Sequence, residues 1–279
     1  MLPILTHEAI ASDSSCLRQA YAEQGGFIIP QLLPVAEIDQ VLQTITETAG
    51  LLGDCSATDA SLSLAQQASR CVQAVHAQRE GGQGLIYEAI SQTPLMHHIA
   101  SHSAIMNVVR SILSSHVVLH QRLLVLMSLP EDGWHLGRWH QDYYYNGGPE
   151  TTCTVYIPLQ KVNQRNGGLL LAPGRHREGM FDHDVRQYDV PTKWNTIDPE
   201  IVATFDPLQQ IELEAGDGLF FHSMLPHAAQ MNHTPDVRFV INLRYRDLLD
   251  KSYREAGWKI PELTAARQAL ARKSLTSAT

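Results

Sequence analysis

The sequence predicts an α+β chain in which a mainly helical first part precedes a mainly β second part built as a sandwich or jelly roll. Two observations carry this. Up to residue 115 apolar side chains recur at helical spacing, whereas from Val117 onward short β-branched and aromatic runs alternate with turn residues. Within two of those runs polar and apolar positions alternate, so each strand has a face for a packed layer and a face for a cavity.

Taken in chain order, Gly25 to Pro30 reads as a short strand entered through a flexible turn. Leu33 to Gly50 then carries Val35, Ile38, Leu42 and Ile45 on one helical face, with Pro34 suited to a first turn. Further helices are expected around Ser61 to Gln78, Ile86 to Ile90 and Ala104 to Leu113. The β part comprises Val117 to Met127, Thr151 to Leu159, Leu169 to Ala172, Gln210 to Glu214, Leu219 to His222 and Arg238 to Tyr245. In the last of these, extended to Arg246, Arg238, Val240, Asn242, Arg244 and Arg246 share one side, and Phe239, Ile241, Leu243 and Tyr245 the other. Thr152, Thr154 and Tyr156 oppose Cys153, Val155, Ile157 and Leu159 in the same manner. If the N-terminal helices cover the apolar sides, the polar sides line a chamber. Phe181 to Asp206, polar and interrupted by Pro191 and Pro199, reads as a long loop and a candidate lid, and a short helix with a frayed tail is expected after Pro261.

A length of 279 residues with 44% hydrophobic and 18% charged residues fits one globular domain with a sizeable core. The formal charge of -8 comes without a basic stretch, which excludes nucleic acid as an expected partner and leaves a small-molecule substrate. No segment has the length of a membrane span and the start lacks a basic leader, so no membrane association and a cytoplasmic location are expected. Cys16, Cys55, Cys71 and Cys153 include no Cys-x-x-Cys pair and read as reduced thiols. The sequence specifies no oligomeric state.

The chain's single His-x-Asp lies in Trp139-His140-Gln141-Asp142. In extended backbone, positions 140 and 142 point to the same side, so an imidazole and a carboxylate can converge on one cation. A second His would complete the facial triad that suits divalent iron and leaves coordination positions open. Two histidines compete for that place, His222 and His227.

Downstream, Gly216-Asp217-Gly218-Leu219-Phe220-Phe221 leads to His227, with Asn232 five residues later and Arg238 eleven residues later, and Asn166-Gly167-Gly168-Leu169 runs into Pro173-Gly174-Arg175-His176. With His-x-Asp and the Gly26-Phe27 entry, these motifs resemble the phytanoyl-CoA dioxygenase family of Fe(II)- and 2-oxoglutarate-dependent oxygenases, from about residue 20 to about residue 247. The resemblance implies a double-stranded β-helix, a cupin-like jelly roll with the N-terminal helices packed on its outer sheet. It implies a single oxygenase domain over residues 1–279, helical over 1–115, β-helix over 116–247 and tail over 248–279. His140, Asp142 and His227 would bind Fe(II), which favours His227 over His222, and Arg238 would hold the far carboxylate of the co-substrate 2-oxoglutarate. A guanidinium suits that task because it is planar, always charged and donates in pairs. Tyr156 stands where some relatives have a Trp beside the co-substrate, and Gln121 resembles a strand residue that faces the site in related hydroxylases.

Departures from the family pattern include His227-Ala228-Ala229 where many members have His-Gly-Ser, and Arg175 in place of Ser. Tyr143 and Tyr144, next to Asp142, are candidates for substrate packing. His120, His135, His176 and His183 lack a carboxylate at ligand spacing and read as structural or exposed. The implied reaction consumes O₂ and converts 2-oxoglutarate to succinate and CO₂ while a substrate C–H bond is hydroxylated. Retention of Asp142 disfavours chlorination, since related halogenases have a small residue there. A non-oxidative metal-dependent hydrolase or isomerase, and an inactive small-molecule-binding barrel, are the competing classes.

Overall fold

The computed structural model describes residues 1–55, 61–120, 122–184 and 195–258. Two short helices, α1 (His7–Ser12) and α2 (Ser15–Gln24), precede strand β1 (Gly26–Ile29). Five helices follow: α3 (Val35–Leu52), α4 (Leu64–Gln78), α5 (Gly82–Ser91), α6 (Pro94–Ala100) and α7 (Ser103–Ile112). The β part contains β2 (Val117–Leu119), β3 (Leu124–Ser128), a helical turn α8 (Asp142–Asn146), β4 (Cys153–Pro158) and β5 (Leu169–Leu171). It continues with β6 (His183–Asp184), β7 (Thr196–Ile197), α9 (Pro199–Val202), β8 (Gln209–Gln210), β9 (Gly218–His222), β10 (His227–Ala229), β11 (Arg238–Asp247) and α10 (Lys251–Glu255).

The helix expected at residues 33–50 forms as α3, burying Ile38, Val41, Leu42, Ile45 and Ala49 along one stripe, whereas Val35, expected on that face, is exposed in the first turn. In α4 the start is fixed by a capping box, with the Ser63 hydroxyl accepting from the Gln66 amide and Gln66 reaching back to the Ser63 amide. These helices lie on one face of a six-stranded antiparallel sheet ordered β1-β9-β4-β11-β2, with β3 also paired to β11. Gly26 permits β1 to approach β9, since a Cβ there would stand 2.4 Å from the carbonyl oxygen of Phe220.

The layered expectation holds residue by residue. Val155, Ile157, Phe239, Ile241, Leu243 and Tyr245 belong to one core with the helices. Ile28, Tyr156, Leu219, Phe221 and Val240 point the other way and pack with Leu169, Leu171 and Leu225 beneath a smaller sheet ordered β10-β5-β8. The chain therefore has the jelly-roll architecture with an outer helical layer, and the side of the main sheet expected to line a chamber faces the smaller sheet.

Several expectations need correction. The long run expected from Val117 to Met127 is two strands, β2 and β3, both paired with β11. The segment read as a loop from Phe181 to Asp206 has structured ends: β6 pairs with β7, and α9 follows, while residues 185–194 lie outside the described residues. The helix and tail placed after Pro261 also lie outside them. Cys55 and Cys71, expected as thiols, are joined in a disulfide with a Cα–Cα distance of 5.1 Å, whereas Cys16 and Cys153 are free. The α3–α4 hairpin brings these two positions together, and their separation of 16 residues carried no motif that announces it. No helix among the described residues is long and apolar enough to cross a membrane.

Candidate metal centre

His140 and His227 meet through an antiparallel bridge, each amide donating to the other residue's carbonyl at 2.9 and 3.0 Å. That pairing sets the imidazoles side by side, 4.2 Å between ring centroids. In both rings Nδ1 faces a carbonyl two residues back, that of Arg138 at 2.6 Å and that of Leu225 at 2.9 Å. A carbonyl can only accept, so Nδ1 carries the proton and Nε2 keeps a lone pair for a cation. Burial pushes the pKa of the His140 ring down to about 3, with His227 adding to the effect, and burial lowers that of His227 as well. Both rings are thus neutral at neutral pH, the form that binds metals.

Asp142 joins them because Gln141 is extended (φ -115°, ψ 131°) before α8 begins, so side chains 140 and 142 emerge on the same side. Ligand atoms of His140, Asp142 and His227 lie within 4.8 Å of one another, and among the described residues this is the group of three able to hold an ion. The Asp142 carboxylate is almost fully buried (3% exposed). Its Oδ2 accepts from the Thr154 hydroxyl at 2.6 Å and Arg244 Nε at 3.2 Å, and its Oδ1 from Arg244 Nη2 at 2.9 Å. Burial would raise its pKa, but the Arg244 guanidinium outweighs this, with His227 assisting, and holds the carboxyl below its usual range. Gln141, fully buried between two of these residues, is itself pinned. Its Nε2 donates to the Gly179 and Met224 carbonyls at 2.8 and 2.7 Å, and its Oε1 accepts from the Phe181 amide at 2.8 Å.

His222 stands apart. Alternation along β9 sends Phe221 inward, where its ring lies 4.9 Å from that of His227, and His222 outward toward Tyr21 of α2 and toward His176, at 5.3 and 5.1 Å between centroids. Its Nδ1 accepts from the Met224 amide at 3.1 Å.

Arg238 lies on the same face of β11 as Val240 and is 3% exposed. Nη2 donates to the Ser128 hydroxyl at 2.5 Å, while Nε and Nη1 have no protein partner. Gly167 (φ +89°) makes room beside it: a Cβ there would stand 3.4 Å from Nη1 and 2.7 Å from the Gln230 carbonyl oxygen. The Tyr156 hydroxyl is buried on the same face of the main sheet and is likewise unpartnered.

Of the aromatic candidates, Tyr144 stacks on His183 with 4.1 Å between centroids, and its hydroxyl accepts from Asn195 Nδ2 at 2.5 Å. Tyr143 is partly exposed. The ring that meets the metal centre is Tyr145, edge-on to His140 at 5.6 Å. Gln121 lies outside the described residues. His135 has a carboxylate partner after all, Asp132 Oδ2 at 2.6 Å, through a turn that sequence spacing did not reveal. Arg244, Thr154, Gln141 and Tyr145 were not singled out from the sequence, although alternation in β4 and β11 already placed Thr154 and Arg244 on the chamber side.

Two imidazole nitrogens and a carboxylate suit Fe(II), and two buried guanidinium nitrogens without a partner suit a carboxylate ligand. Residues 21–240 match the family model for phytanoyl-CoA dioxygenase. A probable phytanoyl-CoA dioxygenase of Caenorhabditis elegans is 25% identical over 162 residues, 54% of this chain and 51% of that protein. A methylphosphonate hydroxylase of Gimesia maris is 30% identical over 104 residues, 37% of this chain and 36% of that one. The chain thus spans about half the length, or less, of the curated relatives it matches. Among solved structures, EctD from S. alaskensis with 2-oxoglutarate and 5-hydroxyectoine superposes with a TM-score of 0.60 at 18% identity, covering 85% of this chain and 77% of that one. The epimerase SnoN in complex with Fe3+, alpha ketoglutarate and nogalamycin RO gives 0.57 at 22%, covering 85% and 84%. At these identities the structural likeness shows the shared fold.

Proposed function

We infer that this chain, which belongs to the phytanoyl-CoA dioxygenase family, is an Fe(II)- and 2-oxoglutarate-dependent oxygenase that hydroxylates a C–H bond of a small molecule. The observation that carries this reading is a His-Asp-His group in which Asp142 and His227 are buried and His140 half-buried, together with the buried Arg238 guanidinium that leaves two nitrogens unpartnered. The second is not explained by folding alone, since a buried charge without full pairing costs stability, whereas the Asp142 charge is already paired with Arg244.

His140 and His227 offer Nε2 lone pairs, and Asp142 offers one carboxylate oxygen. Arg238 receives the far carboxylate of 2-oxoglutarate on Nε and Nη1, and the Tyr156 hydroxyl donates to the same co-substrate. Leu171, Leu219, Phe221 and Val240, buried in the inner cluster, exclude water from the chamber. Iron held by these residues would supply the activation of O₂ needed to oxidise an unactivated C–H bond, coupled to conversion of 2-oxoglutarate to succinate and CO₂. Tyr145 packs against the edge of His140 and fixes that ring, and Tyr143 and Tyr144 border the substrate's approach. The whole chain acts as one oxygenase domain, its residues 1–115 serving as the helical layer and 116–247 as the catalytic barrel.

The test is conversion of labelled 2-oxoglutarate to succinate and CO₂ by the Fe(II)-loaded protein. Slow substrate-independent turnover is expected in the wild type, with none in His227→Ala or Asp142→Ala. Protein that binds Fe(II) and 2-oxoglutarate yet yields no succinate with any candidate substrate would favour a binding barrel instead.

A further inference from the structure

The carboxylate of Asp142 is more heavily engaged than ligation of a metal would by itself require. Its two oxygens offer about four acceptor sites. Thr154 Oγ1 and Arg244 Nε occupy both sites on Oδ2, at 2.6 and 3.2 Å, and Arg244 Nη2 occupies one on Oδ1 at 2.9 Å. Asn146 Nδ2, 3.5 Å from Oδ1, is too distant to count as a firm bond. One site, on Oδ1, remains for a cation.

Strand register delivers both donors. Arg244 and Thr154 are direct partners in the β11–β4 ladder, both on the chamber face, so the guanidinium and the hydroxyl reach the carboxylate from adjacent strands. The pair is buried, with side-chain exposures of 8% for Arg244 and 4% for Asp142. A guanidinium holds a carboxylate through two parallel bonds and fixes the plane of the group as well as its charge, which an ammonium cannot do.

We propose that Arg244 is a positioning residue that, with Thr154, presents Asp142 to the metal through Oδ1 alone. Single-oxygen ligation leaves three positions open on the metal, the number required by a two-point keto acid and O₂. The fork also keeps the carboxylate compensated before any metal arrives, so the centre is formed in advance of loading. This rests on the reading of Asp142 as a metal ligand. The competing picture has Arg244 bound to Asp142 only until a metal displaces it.

Calorimetric titration of the full chain with Co(II), which requires no turnover, separates the two. The variants are Arg244→Met, Arg244→Lys and Thr154→Val, with the visible spectrum of bound Co(II) as a second readout. Both Arg244 variants are expected to weaken Co(II) binding by roughly 10- to 100-fold, Thr154→Val less, and all three to shift the Co(II) bands as the carboxylate turns. Arg244→Lys keeps the charge and is expected not to restore wild-type affinity or bands. Should Arg244→Met fail to fold, the other two variants carry the same comparison. Equal or tighter Co(II) binding in the Arg244 variants with an unshifted spectrum would overturn the proposal in favour of displacement. A wild-type protein that binds no Co(II) would overturn the metal centre itself, and this inference with it.

Discussion

On one face of β11, Phe239, Ile241, Leu243 and Tyr245 are at most 1% exposed among the helices, while on the other Arg238, Asn242, Arg244 and Arg246 are 2% to 7% exposed beneath the small sheet. Burial is nearly the same on the two sides and its energetics are opposite. The apolar face gains roughly 25 cal/mol for each Å² removed from water and requires nothing else. The polar face carries three guanidinium groups whose desolvation must be offset by partners. Arg244 has Asp142, and Arg246 donates to the Asn146 carbonyl at 3.0 Å, but Arg238 has only the Ser128 hydroxyl. One side of the strand answers to the fold, and the other to what the chamber binds.

The contrast can be broken from its apolar side first. Phe239→Ala is expected to lower unfolding free energy by about 3–5 kcal/mol, read from denaturant midpoints, while 2-oxoglutarate affinity of the folded fraction stays as in the wild type. Arg238→Met should do the reverse. It removes a buried charge that folding does not use, so stability is unchanged or increased, while 2-oxoglutarate affinity in an anaerobic titration drops by roughly 100-fold, the scale of a lost charged pair. A loss of stability there comparable to that of Phe239→Ala would erase the distinction.

A smaller effect comes from acid. Burial, then His176, depresses the His222 pKa to about 3, and burial followed by Arg246 and Arg244 depresses that of His120 to about 4. Between those values and the unfolded value near 6.5 the unfolded chain binds more protons, so stability is full above pH 6.5 and falls as pH drops toward 4. In His222→Asn the fall from pH 6.5 to 5.5 should be shallower by about 1 kcal/mol, measured on the metal-free protein. A change of comparable size is expected from Tyr156→Phe, which removes one hydroxyl and should weaken 2-oxoglutarate binding by about 1 kcal/mol, several-fold, leaving metal affinity untouched.

What the sequence disclosed follows from the range of each signal. The α3 stripe and the alternation of β4 and β11 are local periodicities, and they placed the helical layer and the chamber wall correctly. His140 and Asp142 were legible because they are two residues apart. The pairing of Arg244 with Asp142 spans 102 residues and depends on strand register, which no local pattern encodes. Strand β10, only His227–Ala229, is too short to show a period, and the bridge to His140 was hidden with it. Helices α1 and α6 escaped for the same reason, with 6 and 7 residues each. The rivalry between His222 and His227 could have been weighed from β9 itself, where the inward positions Leu219 and Phe221 leave His222 facing α2.

The central claim is that His227 and not His222 completes the metal centre opposite Arg238. Anaerobic addition of Fe(II) and 2-oxoglutarate, followed by visible absorption of the iron-bound keto acid, tests it most directly. The band is predicted in the wild type and in His222→Ala and is predicted to vanish in His227→Ala; a band that survives in His227→Ala and is lost in His222→Ala would contradict the account.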